Sequence, residues 1–86
     1  MYKVTWEDRA LSDLSFLPFE IASNIKKKIE AYLVHEPRKL SKVLTDKYIG
    51  QWRYRYGDYR VTFVINERKR LIKVLRVGYR KDIYEK

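Results

Sequence analysis

The sequence predicts an α+β fold, in which an N-terminal strand is followed by a helical hairpin that packs on one face of a small, mostly antiparallel four-stranded sheet. Apolar and polar residues alternate at the N-terminus and again in the second half of the chain, as they do in strands. Between these stretches, apolar residues recur at helical spacing. A Gly57-Asp58 pair lies between two alternating runs and indicates a hairpin. We expect one domain, residues 1–86.

The first half of the chain supplies the strand and the helices. Residues 2–6 alternate apolar and polar side chains and predict a short strand. Residues 7–17 and 19–34 have the spacing of amphipathic helices, and Pro18 separates them. Residues 39–50 show neither pattern and are predicted to be an irregular connection.

The segment from residue 51 to residue 65 alternates arginine with aromatic residues on both sides of Gly57-Asp58. A two-residue loop fixes which residues face each other. It predicts the pairs Tyr56–Tyr59, Arg55–Arg60, Tyr54–Val61 and Arg53–Thr62. One face of this hairpin is then core-like, with Trp52, Tyr54, Tyr56, Tyr59, Val61 and Phe63. The opposite face, here called the arginine face, consists of Arg53, Arg55, Arg60 and Thr62.

Residues 70–77 predict the last strand of the sheet. Its alternation places Ile72 and Val74 on the core side. A four-residue turn before this strand would put Lys73 beside Thr62 on the arginine face. Residues 78–86 form a short basic and aromatic tail.

The net charge is +9 and is concentrated in the predicted sheet. Residues 51–86 contain 11 basic and 4 acidic residues, and seven of the basic residues are arginines. Like charges that face each other on a sheet are destabilising, so gathering arginines there predicts a polyanionic partner. Arginine suits bidentate contacts with phosphate and stacking on bases. Nucleic acid or an acidic protein is therefore expected, against the alternative that the charge serves solubility alone.

Several classes of protein are disfavoured by composition. The chain has no cysteine, so it forms neither disulfides nor thiolate–metal sites. No apolar run is long enough to span a bilayer, and the N-terminus lacks the pattern of a signal peptide, so we expect a cytoplasmic protein. The single histidine, His35, lies at a predicted helix end, and the carboxylates lack the spacing of metal ligands.

Two segments carry a resemblance to a known family. They are Trp52-Arg-Tyr-Arg-Tyr-Gly-Asp-Tyr-Arg-Val61 and Val74-Leu-Arg-Val-Gly-Tyr-Arg-Lys-Asp-Ile-Tyr84, with weaker support from Trp6-Glu-Asp-Arg-Ala-Leu11. The sequence resembles the RelE/ParE superfamily of toxins from toxin–antitoxin pairs, on its RelE (mRNA interferase) branch. The resemblance covers essentially the whole chain, in the same order of elements.

The resemblance implies a ribosome-dependent endoribonuclease that cuts mRNA in the decoding site, using neither a metal nor another cofactor. The 2′-hydroxyl of one nucleotide attacks the adjacent phosphate. By position, Arg53 and Arg55 match basic residues of the family, Arg60 and Arg80 match its two phosphate-binding arginines, and Tyr84 matches its C-terminal tyrosine. The implied partners are mRNA on the ribosome and a small RelB-like antitoxin that neutralises the arginines.

The sequence departs from the family pattern at residues that bear on proton transfer. Arg53 and Arg55 stand where relatives commonly have lysine, and arginine does not readily lose a proton. Tyr79 stands where relatives often have histidine or lysine, and the chain stops two residues after Tyr84. Nearby arginines would lower the pKa of a phenol, which makes Tyr84 the best local acid or base.

Three other functions remain open from the sequence. A ParE-like toxin that inhibits DNA gyrase would share the fold. A non-catalytic RNA-binding module would use the same aromatic and basic sheet without cleavage. A toxin-like protein without catalysis would bind only an antitoxin.

Overall fold

The structure, a computed structural model, describes residues 1–79 and confirms the predicted α+β class. Two helices pack on one face of a mixed sheet. The sheet has five strands rather than four, because a two-residue strand forms in the stretch predicted to be irregular. The elements are β1 (Lys3–Trp6), α1 (Asp8–Ser15), α2 (Phe19–Lys28), a π-helical turn (Ile29–Leu33), β2 (Lys42–Val43), a 3-10 turn (Asp46–Tyr48), β3 (Trp52–Tyr56), β4 (Tyr59–Asn66) and β5 (Leu71–Tyr79).

The strand order is β1-β5-β4-β3-β2. Strand β1 runs parallel to β5, and the other neighbouring strands are antiparallel. A parallel pair needs a crossover connection, and the helical hairpin lies in the chain between these two strands. The crossover therefore brings both helices onto one face of the sheet.

The core lies between this helical layer and the sheet. In the second helix and its π-helical continuation, Ile25, Ile29 and Leu33 follow one another at intervals of four residues and are fully buried. From the sheet, Val61, Phe63, Ile72 and Val74 are equally buried, as the alternation predicted. The aromatic residues Trp52, Tyr54, Tyr56 and Tyr59 are partly buried and pack against this cluster.

The β3–β4 hairpin has the predicted register. All four predicted pairs are present, from Tyr56–Tyr59 to Arg53–Thr62. Gly57 has φ +57°, and Asp58 is not among the residues with positive φ. Glycine at the first central position with positive φ is the pattern of a type II′ turn, whose twist matches that of the flanking strands.

The predicted register of β5 is wrong. Thr62 pairs with Arg76 and Phe63 with Val74, so Leu75 is the extra residue of a β-bulge. Lys73 lies opposite Val64 rather than beside Thr62, because the turn occupies residues 67–70 and Asn66 already pairs with Leu71. Without the bulge Leu75 would face Thr62, and the bulge places Arg76 there instead, next to the arginine face.

Beyond the end of β1, the outer edge of β5 is covered by helix α1. The Oδ2 atom of Asp13 accepts hydrogen bonds from the backbone N–H of Val77 at 2.9 Å and from Nε of Arg76 at 2.8 Å. Its Oδ1 atom accepts a third from Nη2 of Arg76 at 3.2 Å. This hydrogen-bonded carboxylate raises the pKa of Arg76. Asp13 thus takes the place of a further strand and holds Arg76 in one orientation.

We expect Asp13→Ala to lower the free energy of unfolding by roughly 2–3 kcal/mol, since it leaves a half-buried guanidinium and a backbone N–H without their acceptor. Urea denaturation measures the effect. Glu30→Ala, which removes an exposed carboxylate, is the matched control and should be near neutral. Equal stability of Asp13→Ala and the wild type would show that the ion pair does not secure this edge.

Candidate nucleic-acid interface

The arginine face is built by the alternation of the β3–β4 hairpin. Because Val61 and Phe63 point into the core, their neighbours Arg60 and Thr62 lie on the opposite side of β4. Strand pairing then sets Arg55 directly across from Arg60. The sheet thereby holds like charges side by side on one face.

Arg60 is far more buried than the sequence indicated. Only 7% of its surface is exposed, and its neighbour Thr62 is 4% exposed. Alternation predicts the side of the sheet on which a residue lies, but it does not predict how deeply the surroundings cover it. A guanidinium removed from water interacts more strongly with an anion, because the local dielectric is lower.

Arg53 and Arg55 remain available to an anion. Arg55 is exposed, and its Nε donates a hydrogen bond to the carbonyl oxygen of Gly57 at 3.2 Å. Arg53 is half-buried, and its buried Nε has no hydrogen-bond partner among residues 1–79. Neither residue forms an ion pair within that range.

Arg38 and Arg70, outside the arginine face, are engaged in ion pairs. Arg38 and Arg70 both donate to the carboxylate of Glu67, which also accepts two hydrogen bonds from the Tyr2 hydroxyl. The hydrogen bonds from Tyr2, and then from the arginines, lower the pKa of Glu67. This cluster ties the N-terminus to the turn between β4 and β5. Arg53 and Arg55, by contrast, form no ion pair within residues 1–79.

We expect Arg55→Ala to change the free energy of unfolding by less than roughly 0.5 kcal/mol, or to raise it slightly. The side chain is exposed, and its removal relieves repulsion with Arg60. Thermal or urea denaturation tests this. A loss of roughly 2 kcal/mol or more would mean that Arg55 has a structural role instead.

A concavity of about 540 Å³ adjoins the arginine face. Its walls come from the start of α1, the 3-10 turn and strands β4 and β5. Sequence patterns gave no sign of it, since these segments are far apart in the chain. The lining residues are Glu7, Arg9, Tyr48, Gln51, Thr62, Leu75 and Arg76.

Two of the predicted site residues, Arg80 and Tyr84, lie outside the described residues, and their roles stay predictions. The last described residue, Tyr79, packs edge-to-face on Tyr59, with ring centroids 5.5 Å apart. On the core side of the hairpin, burial and then the neighbouring Tyr56 raise the pKa of Tyr54. That phenol is therefore less suited to proton transfer near neutral pH than an exposed one.

The described part of the chain offers no cluster of three or more histidine, aspartate or glutamate residues that could hold a metal ion. Within residues 1–79, no helix has the length and apolar character needed to cross a membrane.

Comparison with known proteins identifies the family. Residues 4–84 match the family model described as "ParE toxin of type II toxin-antitoxin system, parDE". The chain belongs to the RelE/ParE superfamily. Among curated proteins, this toxin is 31% identical to Toxin RelG of Mycobacterium tuberculosis, over 99% of this chain and 98% of the relative. It is 29% identical to Toxin RelE of the same organism, over 96% of this chain and 86% of the relative.

Solved structures show the same fold. The toxin–antitoxin complex RelBE2 from M. tuberculosis matches with a TM-score of 0.87 at 28% identity, covering 91% of this toxin and 96% of that chain. The isolated E. coli RelE toxin matches with a TM-score of 0.75 at 21% identity, covering 92% and 84%. The second likeness concerns the fold alone. The predicted superfamily is thus confirmed, and this chain is a toxin of the type II toxin–antitoxin class.

Proposed function

We propose that this toxin is an endoribonuclease that cuts mRNA on the ribosome. The observation that carries the proposal is the arginine face: Arg53 and Arg55 lack ion-pair partners among residues 1–79, and the buried Arg60 lies beside them. A sheet holds these charges in fixed positions before the substrate arrives. Preorganised positive charge is what a reaction that builds up negative charge on phosphate requires.

In the proposed reaction, the 2′-oxygen of one nucleotide forms a bond to the adjacent phosphorus, and the bond from phosphorus to the 5′-oxygen of the next nucleotide breaks. The 2′-hydroxyl gives its proton to a base, and the departing 5′-oxygen takes one up. The products are a 2′,3′-cyclic phosphate and a 5′-hydroxyl. Contacts from the arginine face hold the phosphate in line with the attacking oxygen and stabilise the extra charge of the phosphorane.

The proton transfers need a group other than the arginines, which stay protonated. The proposal gives this role to Tyr84 and assigns Arg80 to the phosphate together with Arg60. It invokes neither a metal nor another cofactor, because the guanidinium groups supply the positive charge.

Inhibition of DNA gyrase is the second candidate. The description of the matched family model names the ParE toxin, and this name favours gyrase inhibition. Two observations favour RNA cleavage over it: both curated relatives carry Rel names, and the five predicted site residues are present together.

The proposal includes a RelB-like antitoxin as the protein partner. The similar structures from M. tuberculosis and E. coli include RelB–RelE type complexes. With a net charge of +9, this toxin would be matched electrostatically by an acidic chain that covers the arginine face.

Analysis of product ends tests the chemistry. Purified toxin is added to ribosomes that carry a defined message, and the same message without ribosomes serves as the control. We expect 3′ fragments with a 5′-hydroxyl, which polynucleotide kinase labels without prior phosphatase treatment. Fragments that carry a 5′-phosphate would contradict attack by the 2′-hydroxyl.

A further inference from the structure

The concavity described above is placed to receive the base next to the reacting phosphate. Thr62 belongs to both surfaces: it lines the concavity and is the strand partner of Arg53. It lies two residues from Arg60 on β4, a separation of roughly 7 Å along a strand. A phosphate held by the arginine face would therefore bring a neighbouring base to the mouth of the concavity.

Two flat side chains line this space. The guanidinium of Arg76 is fixed by its hydrogen bonds to Asp13, and 31% of the side chain is exposed. Tyr48, in the 3-10 turn, lines the same space, and one face of its ring carries the Nζ of Lys47, 5.6 Å from the ring centre. Unpaired bases of RNA stack on tyrosine rings and on arginine planes, and a platform that is already fixed loses little entropy when a base binds.

The concavity also contains groups that suit the edge of a base better than a phosphate. Glu7 is exposed, and its side chain makes no capping hydrogen bond to α1. Its backbone is anchored, since its N–H donates to the carbonyl oxygen of Val74 at 2.9 Å. A carboxylate beside a cationic face repels phosphate but accepts hydrogen bonds from amino groups. Gln51, which also lines the concavity, supplies both a donor and an acceptor.

We infer that this concavity binds a single unpaired RNA base and that Glu7 makes it select adenine or cytosine over uracil. The inference rests on the proposed function, because the arginine face must hold the adjoining phosphate. Adenine and cytosine carry an exocyclic amino group, at C6 and C4 respectively, that donates to Glu7, whereas uracil presents a carbonyl oxygen at the corresponding position. Arg76 and Tyr48 provide the stacking surfaces, and Gln51 contacts the rest of the base edge.

A titration with two nucleotides tests the site. Cytidine and uridine monophosphates share the ring, the sugar and the phosphate, and they differ in having an amino group or a carbonyl oxygen at C4. The probes are the side-chain N–H signals of Gln51 and Arg76 in the NMR spectrum of the ¹⁵N-labelled toxin. We expect cytidine monophosphate to shift both signals at a concentration roughly tenfold lower than uridine monophosphate.

The variant Glu7→Gln should remove this difference between the two nucleotides. Glu30→Gln makes the same change of charge on an exposed residue of the helical layer and should keep the difference. If neither nucleotide shifts the signals of Gln51 and Arg76, or if both act at equal concentration on the wild type, the inference is wrong. If the toxin cuts mRNA but fails this titration, the inferred base site is wrong and the proposed function stands. If it passes the titration but does not cut mRNA, the proposed cleavage is wrong and the base site stands.

Discussion

Replacing Arg60 by methionine should slow mRNA cleavage by roughly 100- to 1,000-fold, the usual effect of removing one donor from a site that stabilises developing negative charge. Methionine keeps much of the aliphatic length of the side chain, which is 7% exposed, but removes its charge. The measurement is single-turnover cleavage of ribosome-bound message. Thermal denaturation of the same preparation shows whether the variant is folded.

Arg68→Met is the matched control for this variant, because Arg68 is an exposed arginine in the turn between β4 and β5. It should cut mRNA at the rate of the wild type. A folded Arg60→Met variant with full activity would show that Arg60 is structural and would remove it from the phosphate site.

The largest expected effect on stability comes from Phe63→Ala, which should lower the free energy of unfolding by roughly 3–5 kcal/mol. Phe63 is fully buried in β4 at the centre of the core. Small domains have total stabilities of about 5–15 kcal/mol, so this loss is a large fraction of the total. Urea denaturation at several temperatures measures it.

Phe16→Ala is the control for this variant, because it removes a phenylalanine side chain from the surface instead of the core. Phe16 is 86% exposed at the end of α1, and its replacement should change stability by less than about 0.5 kcal/mol. Similar losses in the two variants would contradict the assignment of the core to the layer between the helices and the sheet.

The features that the sequence predicted well are those set by local chemistry. The Gly57-Asp58 turn allows few geometries, so the pairing of Arg55 with Arg60 followed from the length of the loop. The arginine face followed from the period of two along a strand. In the helical layer, the burial of Ile25 and Ile29 followed from their spacing.

The features that the sequence did not predict depend on contacts between distant segments. The bulge at Leu75 shifts β5 by one residue, and nothing in the local pattern distinguishes it from a regular strand. The pair between Asp13 and Arg76 joins residues 63 positions apart. Strand β2 is only two residues long, too short for alternation to be recognised.

The candidate site likewise combines features that the sequence predicted with features that it did not. The side of the sheet occupied by Arg53 could be predicted from alternation, but its buried Nε could not. The concavity could not be predicted from the sequence, because Glu7, Tyr48 and Gln51 come from different parts of the chain and form no sequence motif. It forms only when α1 and the 3-10 turn pack around the sheet.

The concentration of charge on the arginine face has a consequence for regulation. Neighbouring arginines such as Arg55 and Arg60 repel each other in the free toxin. An acidic partner that covers them would relieve this repulsion and would stabilise the folded toxin through binding. If RNA binds the arginine face as proposed, the same contact would exclude it, and stabilisation and inhibition would then come from one surface.

Two activities of one preparation of the toxin distinguish mRNA cleavage from gyrase inhibition. Primer extension on ribosome-bound mRNA measures cleavage, and supercoiling of plasmid DNA measures the activity of gyrase. If the toxin is an endoribonuclease that acts on the ribosome, new ends will form within the message at the decoding site and supercoiling will be undiminished. An intact message together with blocked supercoiling would rule out this function and would assign the toxin to gyrase inhibition.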